Sequence, residues 1–180
     1  MLITTSRNPN HRLRRVSRVI SLSFPNSQRM NRGTLSLSRL FTYCWNKKIG
    51  NLLILQESDE NNAILVKAYS IRNQPQLIDA TIRLTNIVSL RKHSKKYRIN
   101  IERICINFSE DINKLFKDQI TDFFHQIIPD SNNVHSKKKL VISFGKDKFN
   151  SLIGHAVQQN STKSLHLFTI HVSSECVNNE

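Results

Sequence analysis

Arginine is the residue whose number and placement point to chemistry in this chain. Arg7 and Arg12 bracket Asn8-Pro9-Asn10-His11, then Arg14, Arg15 and Arg18 follow, and Arg29 and Arg32 flank Met30-Asn31. A guanidinium is planar and permanently charged, and its fork of N–H donors matches phosphate oxygens two at a time. Thr5, Ser6 and Asn10 stand beside Arg7 and can add hydroxyl or amide contacts to phosphate or ribose. Arg12 falls where a helix is predicted to start, and the free backbone N–H groups of a helix start also attract anions. Asn31 and Gly33 complete a turn around Arg32. The candidate phosphate-binding set is therefore Thr5, Ser6, Arg7, Asn10, Arg12, Arg14, Arg15, Arg18, Arg29, Asn31, Arg32 and Gly33. Each also has a structural alternative. Ser6-Arg7 can cap and pin the first helix, with Arg7 paired to an acid from the second half. Arg14, Arg15 and Arg18 can be a solvated helix face, and Asn31-Arg32-Gly33 can be only a turn.

The overall charge agrees with a polyanion partner. The 180 residues carry 27 Lys and Arg against 13 Asp and Glu, a net +14. Met1–Gln56 contains eight Arg, two Lys and no acid, so the positive field belongs to the N-terminal third. Such a field attracts nucleic acid in general. An Arg- and Ser-rich, acid-free N-terminus also describes an organellar transit peptide. The strand, turn and helix patterning of the segment favours integral structure instead. A third possibility is a scaffold whose basic N-terminal third docks on an acidic protein partner.

Other chemistries find little support. The 7 His show neither metal-ligand spacing nor a His-Glu-x-x-His, and the 3 Cys form no C-x-x-C, so no metal site and no cofactor are expected. Ser6 and His11 can meet, but no oxyanion turn or orienting acid accompanies them. Only 4 Gly are present and none builds a Walker-type loop, which argues against an enzyme acting on nucleotides or any small-molecule substrate. No apolar run approaches the length of a membrane span. Tyr43, Trp45 and Tyr97 are the candidates for base stacking, with Trp45 read as a packing residue. Recognition by shape and backbone is the expectation.

These residues need elements to hold them. Leu2-Ile3-Thr4-Thr5 reads as a strand and Asn8-Pro9-Asn10 as a turn and N-cap. Leu13, Val16, Ile20 and Phe24 mark one face of a helix from His11 to Phe24, ended by Pro25. A short strand is expected at Ser27–Met30. A second helix follows, capped by Thr34 or Ser36, buried through Leu37, Leu40, Phe41 and Cys44, and stopped at Gly50. Asn51–Leu55 reads as a central strand, Ala63–Ser70 as its hairpin partner, and Gln76–Leu84 as another strand. Ile99–Asn107 reads as a strand with a bulge. Ser109 opens a long helix with Glu110 and Asp111 in its first turn. Lys139–Phe144 is a strand, Asp147–Gln158 a helix, and Ser164–Val172 a closing strand. The class is a mixed α/β (α+β) architecture with mixed sheets. It is one domain over 1–180 with two structural halves, 1–91 and 99–180, joined by the basic loop Arg91–Arg98. A polar linker is expected at Pro129–Lys138.

Two N-terminal motifs resemble the Brix domain family. Leu2-Ile3-Thr4-Thr5-Ser6-Arg7-Asn8-Pro9-Asn10-His11-Arg12 is similar to the opening strand and Thr-Ser-Arg signature of that family. Phe24-Pro25-Asn26-Ser27-Gln28-Arg29-Met30-Asn31-Arg32-Gly33 is similar to its Phe-Pro-x-x-x-Arg-x-Asn-Arg-Gly. Asn51–Glu57 and Leu84-Thr85-Asn86-Ile87-Val88 match later segments, and Lys139–Val172 fits the closing unit loosely. The resemblance implies a non-enzymatic RNA-binding factor in ribosome biogenesis, with ribosomal RNA, pre-rRNA and ribosome assembly proteins as partners. It further implies two halves resembling the anticodon-binding domain of class II aminoacyl-tRNA synthetases. The short build is similar to the archaeal members, so cytoplasmic placement is implied, or nucleolar if the source is eukaryotic. Glu57-Ser58-Asp59-Glu60-Asn61-Asn62 departs from the family's Arg-Gly-x-Pro, and its Leu-Pro-x-Gly-Pro is absent.

Overall fold

The computed structural model describes residues 1–58, 63–71, 74–77, 82–87, 101, 103–112, 114–127, 139–146, 152–160 and 163–172. Leu2–Thr5 forms β1, flanked by parallel neighbours β2 (Gln28–Arg29) and β3 (Asn51–Glu57). Parallel neighbours need crossover connections, and two helices supply them. α1 (His11–Ser23) links β1 to β2, and α2 (Leu37–Asn46) links β2 to β3. Leu13, Val16, Ile20 and Phe24 of α1 join Ile3, Leu53 and Leu55 in one core. Leu40 and Cys44 of α2 join Leu2, Leu52 and Ile54 in another. Alternate residues of a strand point to opposite faces, so α1 and α2 lie on opposite sides of the sheet. The sandwiching explains why all four residues of β1 are buried.

β4 (Ile64–Ser70) returns antiparallel to β3 and pairs with both β5 (Gln76–Leu77) and β6 (Ile82–Thr85). β7 (Arg103–Phe108) and β8 (Lys139–Lys146) are parallel, with α3 (Lys114–Ile127) between them in sequence. β9 (Leu152–Asn160) and β10 (Lys163–Val172) continue antiparallel from β8. β10 then pairs antiparallel with β6, closing a ten-stranded mixed sheet ordered β2-β1-β3-β4-β6-β10-β9-β8-β7 with β5 beside β4. On either side of the β6–β10 junction the pairing sequence is the same. β1-β3-β4-β6 and β7-β8-β9-β10 are each parallel, antiparallel, antiparallel. One core nonetheless runs across both sets, and α3 packs over β3 and β4. Between α1, α3 and the central strands lies an apolar cavity of about 30 Å³, which lacks the polar partners a water would need.

Several sequence expectations change. The clearest concerns Asp147–Gln158, expected as a helix: its described part belongs to strand β9, paired on both sides. The helix expected from Ser109 begins at Lys114, after a turn in which the Ile112 N–H reaches the Ser109 carbonyl at 3.4 Å. Gln76–Leu84 holds two strands, β5 and β6, not one. The bulge expected around Glu102-Arg103 falls on a step whose Glu102 lies outside the described residues; Arg103–Phe108 pairs in register with β8, and β10 carries a register shift between His166 and Phe168. α2 is stopped before Gly50. Lys48 takes the left-handed conformation (φ 54°), its N–H reaching Trp45 O at 3.0 Å while that of Ile49 reaches Cys44 O at 2.8 Å. That is a Schellman closure made without glycine. Within residues 1–70, α1 and its Asn10 cap, the Ser36 cap of α2, β3 and the β4 hairpin stand where the pattern puts them. Arg91–Arg98 and the linker from Pro129 to Lys138 lie outside the described residues.

Candidate nucleic-acid interface

β1 lies between the strands its chain visits next. The path leaves β1 for β2 through α1 on one face, then returns past β1 to β3 through α2 on the other. The loops after β1 and β2 therefore diverge around the C-terminal end of β1, which is where open α/β sheets form ligand crevices. The N-termini of both helices are at this end. Asn10 caps α1, its Oδ1 accepting the Leu13 N–H at 2.8 Å, and Ser36 caps α2, its Oγ accepting the Arg39 N–H at 3.2 Å. Neither helix has an acid in its first turn. The Glu57 carboxylate, held by the Asn10 amide, stands beside the α1 start, whereas the start of α2 keeps its partial positive charge for an external anion.

Two arginines enter this end. Arg7 is exposed and precedes Asn8, which turns the chain with φ 51°. Arg32 is part-buried, its Nε donating to the Leu35 carbonyl at 3.0 Å, and Gly33 (φ 56°) makes the left-handed turn that follows. Burial, and then the nearby charge of Arg7, hold the Arg32 guanidinium below its ordinary range, against a smaller opposing effect of Tyr69. Two like charges brought close at a crevice raise the local field for an anion that can bridge them.

The other candidate residues divide by position. Arg12, Arg14, Arg15 and Arg18 are exposed on α1, facing away from Leu13, Val16 and Ile20. Arg29 is pinned to α1 by Nε donating to Ser17 Oγ at 2.8 Å, and its Nη2 donates locally to Asn31 Oδ1 at 2.7 Å. Asn31 and Arg29 thus hold each other. Ser6 is part-buried with its N–H on Leu55 O at 2.7 Å. Thr5 is only 4% exposed, so its hydroxyl does not reach the surface expected of it. Asn10 uses both ends of its amide, Oδ1 in the helix cap and Nδ2 donating to Glu57. Its amide contact is internal. Tyr97 lies outside the described residues, Tyr43 is half-buried, and Trp45, expected to pack, stands exposed.

Sequence reasoning missed that Arg32 feels the charge of Arg7, a proximity that follows from the crossover order of β1, β2 and β3. It also missed a histidine surface on β9 and β10. His155 and His166 have ring centroids 6.0 Å apart, and His171 Nε2 lies 2.8 Å from Thr85 Oγ1. No sequence periodicity marked it, since His166 and His171 are an odd five residues apart and the β10 register shift between His166 and Phe168 intervenes. Among the described residues, no three His, Cys, Asp or Glu gather as a metal site.

Comparison with known proteins gives both sequence and fold relatives. The chain is 39% identical over 57 residues to the U3 small nucleolar ribonucleoprotein protein IMP4 of Bos taurus, and equally to that of Homo sapiens. That stretch covers 32% of this chain and 20% of the relative, so only about a fifth of the curated relatives' length is matched. Among solved structures, the chain resembles a probable ribosomal biogenesis protein from Aeropyrum pernix K1, with TM-score 0.68 and 14% identity over 96% of this chain and 94% of that one. It also resembles Mil, an archaeal Imp4-like protein, with TM-score 0.57 and 16% identity over 96% of each chain. No protein-family profile matches. The mixed α/β fold expected from the sequence is thus the fold of these archaeal proteins. The resemblance drawn from the two N-terminal motifs agrees with both kinds of relative.

Proposed function

We propose that this chain is a non-enzymatic ribosome biogenesis factor of the Brix and Imp4-like kind, which binds pre-ribosomal RNA and assists rRNA processing and subunit assembly. The observation that carries the RNA-binding reading is the approach of Arg7 and Arg32 at the end of β1, where α1 and α2 both begin. Phosphates seat there between two guanidinium forks and the start of α2, and the exposed arginines of α1 extend the track along the backbone. The role needs no cofactor. By binding one RNA arrangement more tightly than another, the chain shifts the RNA towards it. Ribosome assembly proteins are the partners this reading implies. The site of action is the cytoplasm for an archaeal source and the nucleolus for a eukaryotic one.

The test is binding to ribosomal RNA fragments, tRNA and heparin across a salt series, with the Arg7→Ala/Arg12→Ala and Arg7→Ala/Arg32→Ala variants alongside. With about five phosphates engaged, log K falls against log salt with a slope of roughly −3.5 to −4.5. Preference for ribosomal RNA at moderate salt, lost in the variants, supports the proposal. Equal binding to all three polyanions, unchanged by substitution, refutes it.

A further inference from the structure

Trp45 is the one tryptophan of the chain and stands 57% exposed on α2. Its surroundings make a groove. Phe41, Thr42 and Trp45 form the helix side, and Ile71 and Pro75, from the connection after β4, form the other, around a volume of about 230 Å³. The floor is fixed, because Phe41 meets the Tyr69 ring edge-on at 5.4 Å between centroids. Leu77, 56% exposed, is paired beside Tyr69 on β5 and extends the apolar surface. The polar side chain in the lining, Thr42, already donates its hydroxyl to the Ser38 carbonyl at 3.1 Å. A nucleobase entering such a groove brings a polar edge that needs partners, whereas an apolar side chain needs none.

The elements that line the groove also carry exposed lysines. Lys47 and Lys48, both exposed, follow Trp45 within one helical turn. Lys67 is exposed two residues before Tyr69, on the same face of β4. No acid occurs anywhere in Met1–Gln56. We infer that this groove is the docking site for an acidic segment of a partner protein, anchored by a bulky apolar side chain against Trp45, with carboxylates meeting Lys47, Lys48 and Lys67. It is separate from the Arg7–Arg32 crevice: Ser36 caps α2 at that crevice, and Trp45 sits nine residues along, about 13 Å away by helix rise. A partly enclosed aromatic beside exposed charge is the usual composition of an interface anchor.

Trp45 itself is the reporter. The probe is a short synthetic peptide with a Phe-x-x-Leu pair set among Asp and Glu, compared with the same peptide carrying Ser in place of Phe and Leu, and with a uridine oligoribonucleotide. The acidic apolar peptide is expected to shift Trp45 emission to the blue. Its affinity, read by anisotropy of a labelled copy, is expected to fall about tenfold or more in Trp45→Ala. Lys47→Glu/Lys48→Glu weakens it too, and the Ser peptide binds poorly to the unaltered protein. Arg7→Ala/Arg32→Ala leaves peptide binding in place, which separates this site from the RNA-binding proposal. Circular dichroism checks that Trp45→Ala, an exposed substitution, remains folded. The inference is overturned if Trp45→Ala and the Ser peptide change nothing, since charge alone then holds the peptide. It is also overturned if only the oligoribonucleotide moves Trp45 emission, or if dilution without any probe moves it, which assigns the groove to RNA or to a second copy.

Discussion

Arg7 and Arg29 carry the same charge under opposite constraints. Arg29 donates to Ser17 and Asn31, so Arg29→Ala removes the contact that fastens β2 to α1 and a local one, and costs about 1 kcal/mol in urea denaturation. Arg7 lends Arg32 an unfavourable charge. Arg7→Ala therefore leaves stability unchanged or slightly raised, while the salt slope of RNA binding becomes shallower by about 0.7 for the lost phosphate. If Arg7→Ala destabilises the fold as much as Arg29→Ala, its role is structural. His166 supplies a pH test. Partial desolvation of an otherwise exposed ring, then the neighbouring His155, lowers its pKa. The folded state thus prefers the neutral ring, so this contribution to stability is complete above the ordinary histidine value of about 6.5 and is lost as pH falls from there through the lowered folded value. Denaturation followed from pH 7.5 to pH 5.5 is expected to show a modest decline that His166→Gln reduces; an identical decline in the variant rejects the assignment. The arginines were legible in the sequence because charge without acid is visible in one dimension. Thr5 was not, because a strand covered on both faces by α1 and α2 buries even its polar residues. Trp45 was misread for the complementary reason: it is one turn from Phe41, yet the buried face of α2 narrows to Leu40 and Cys44.

Elements whose side chains carry their own burial pattern could be read, and those filled by a neighbour could not. β3 announces itself as Asn-Leu-Leu-Ile-Leu, the continuous run of a strand covered on both faces. β9 has no such pattern. Its inward positions include Gly154, opposite Phe144, and Ala156, opposite Ile142, so larger residues of β8 fill the space. A Cβ built on Gly154 would stand 2.5 Å from the Phe144 ring. That ring is 2% exposed and held between Phe108 and Phe124, so it has little room to move. Gly154→Ala is expected to cost about 1–3 kcal/mol through overpacking, and Phe144→Leu in the same chain to recover part of the loss. Additive losses in that double-mutant cycle would show that the ring and the glycine do not compete for space.

At the scale of the whole molecule, the two strand sets share one core, and α3 of the second set lies over β3 and β4 of the first. Neither set buries its apolar face alone. Urea unfolding is expected as a single transition, with Trp45 fluorescence in the first set and far-UV circular dichroism over both giving coincident curves. Separated midpoints would mean that the sets unfold independently. The antiparallel seam between β6 and β10 carries a further meaning. Two identical chains meeting edge to edge about a two-fold axis pair their like strands antiparallel. β6 and β10 are the fourth strand of each set and meet in that sense. The strands at this seam follow that sense while the helices do not, since α1 lies over its own set and α3 over the other. Because the seam lies within one polypeptide, its two sides need not share a sequence: eight arginines and no acid gather in Met1–Gln56, an inequality no true homodimer can hold.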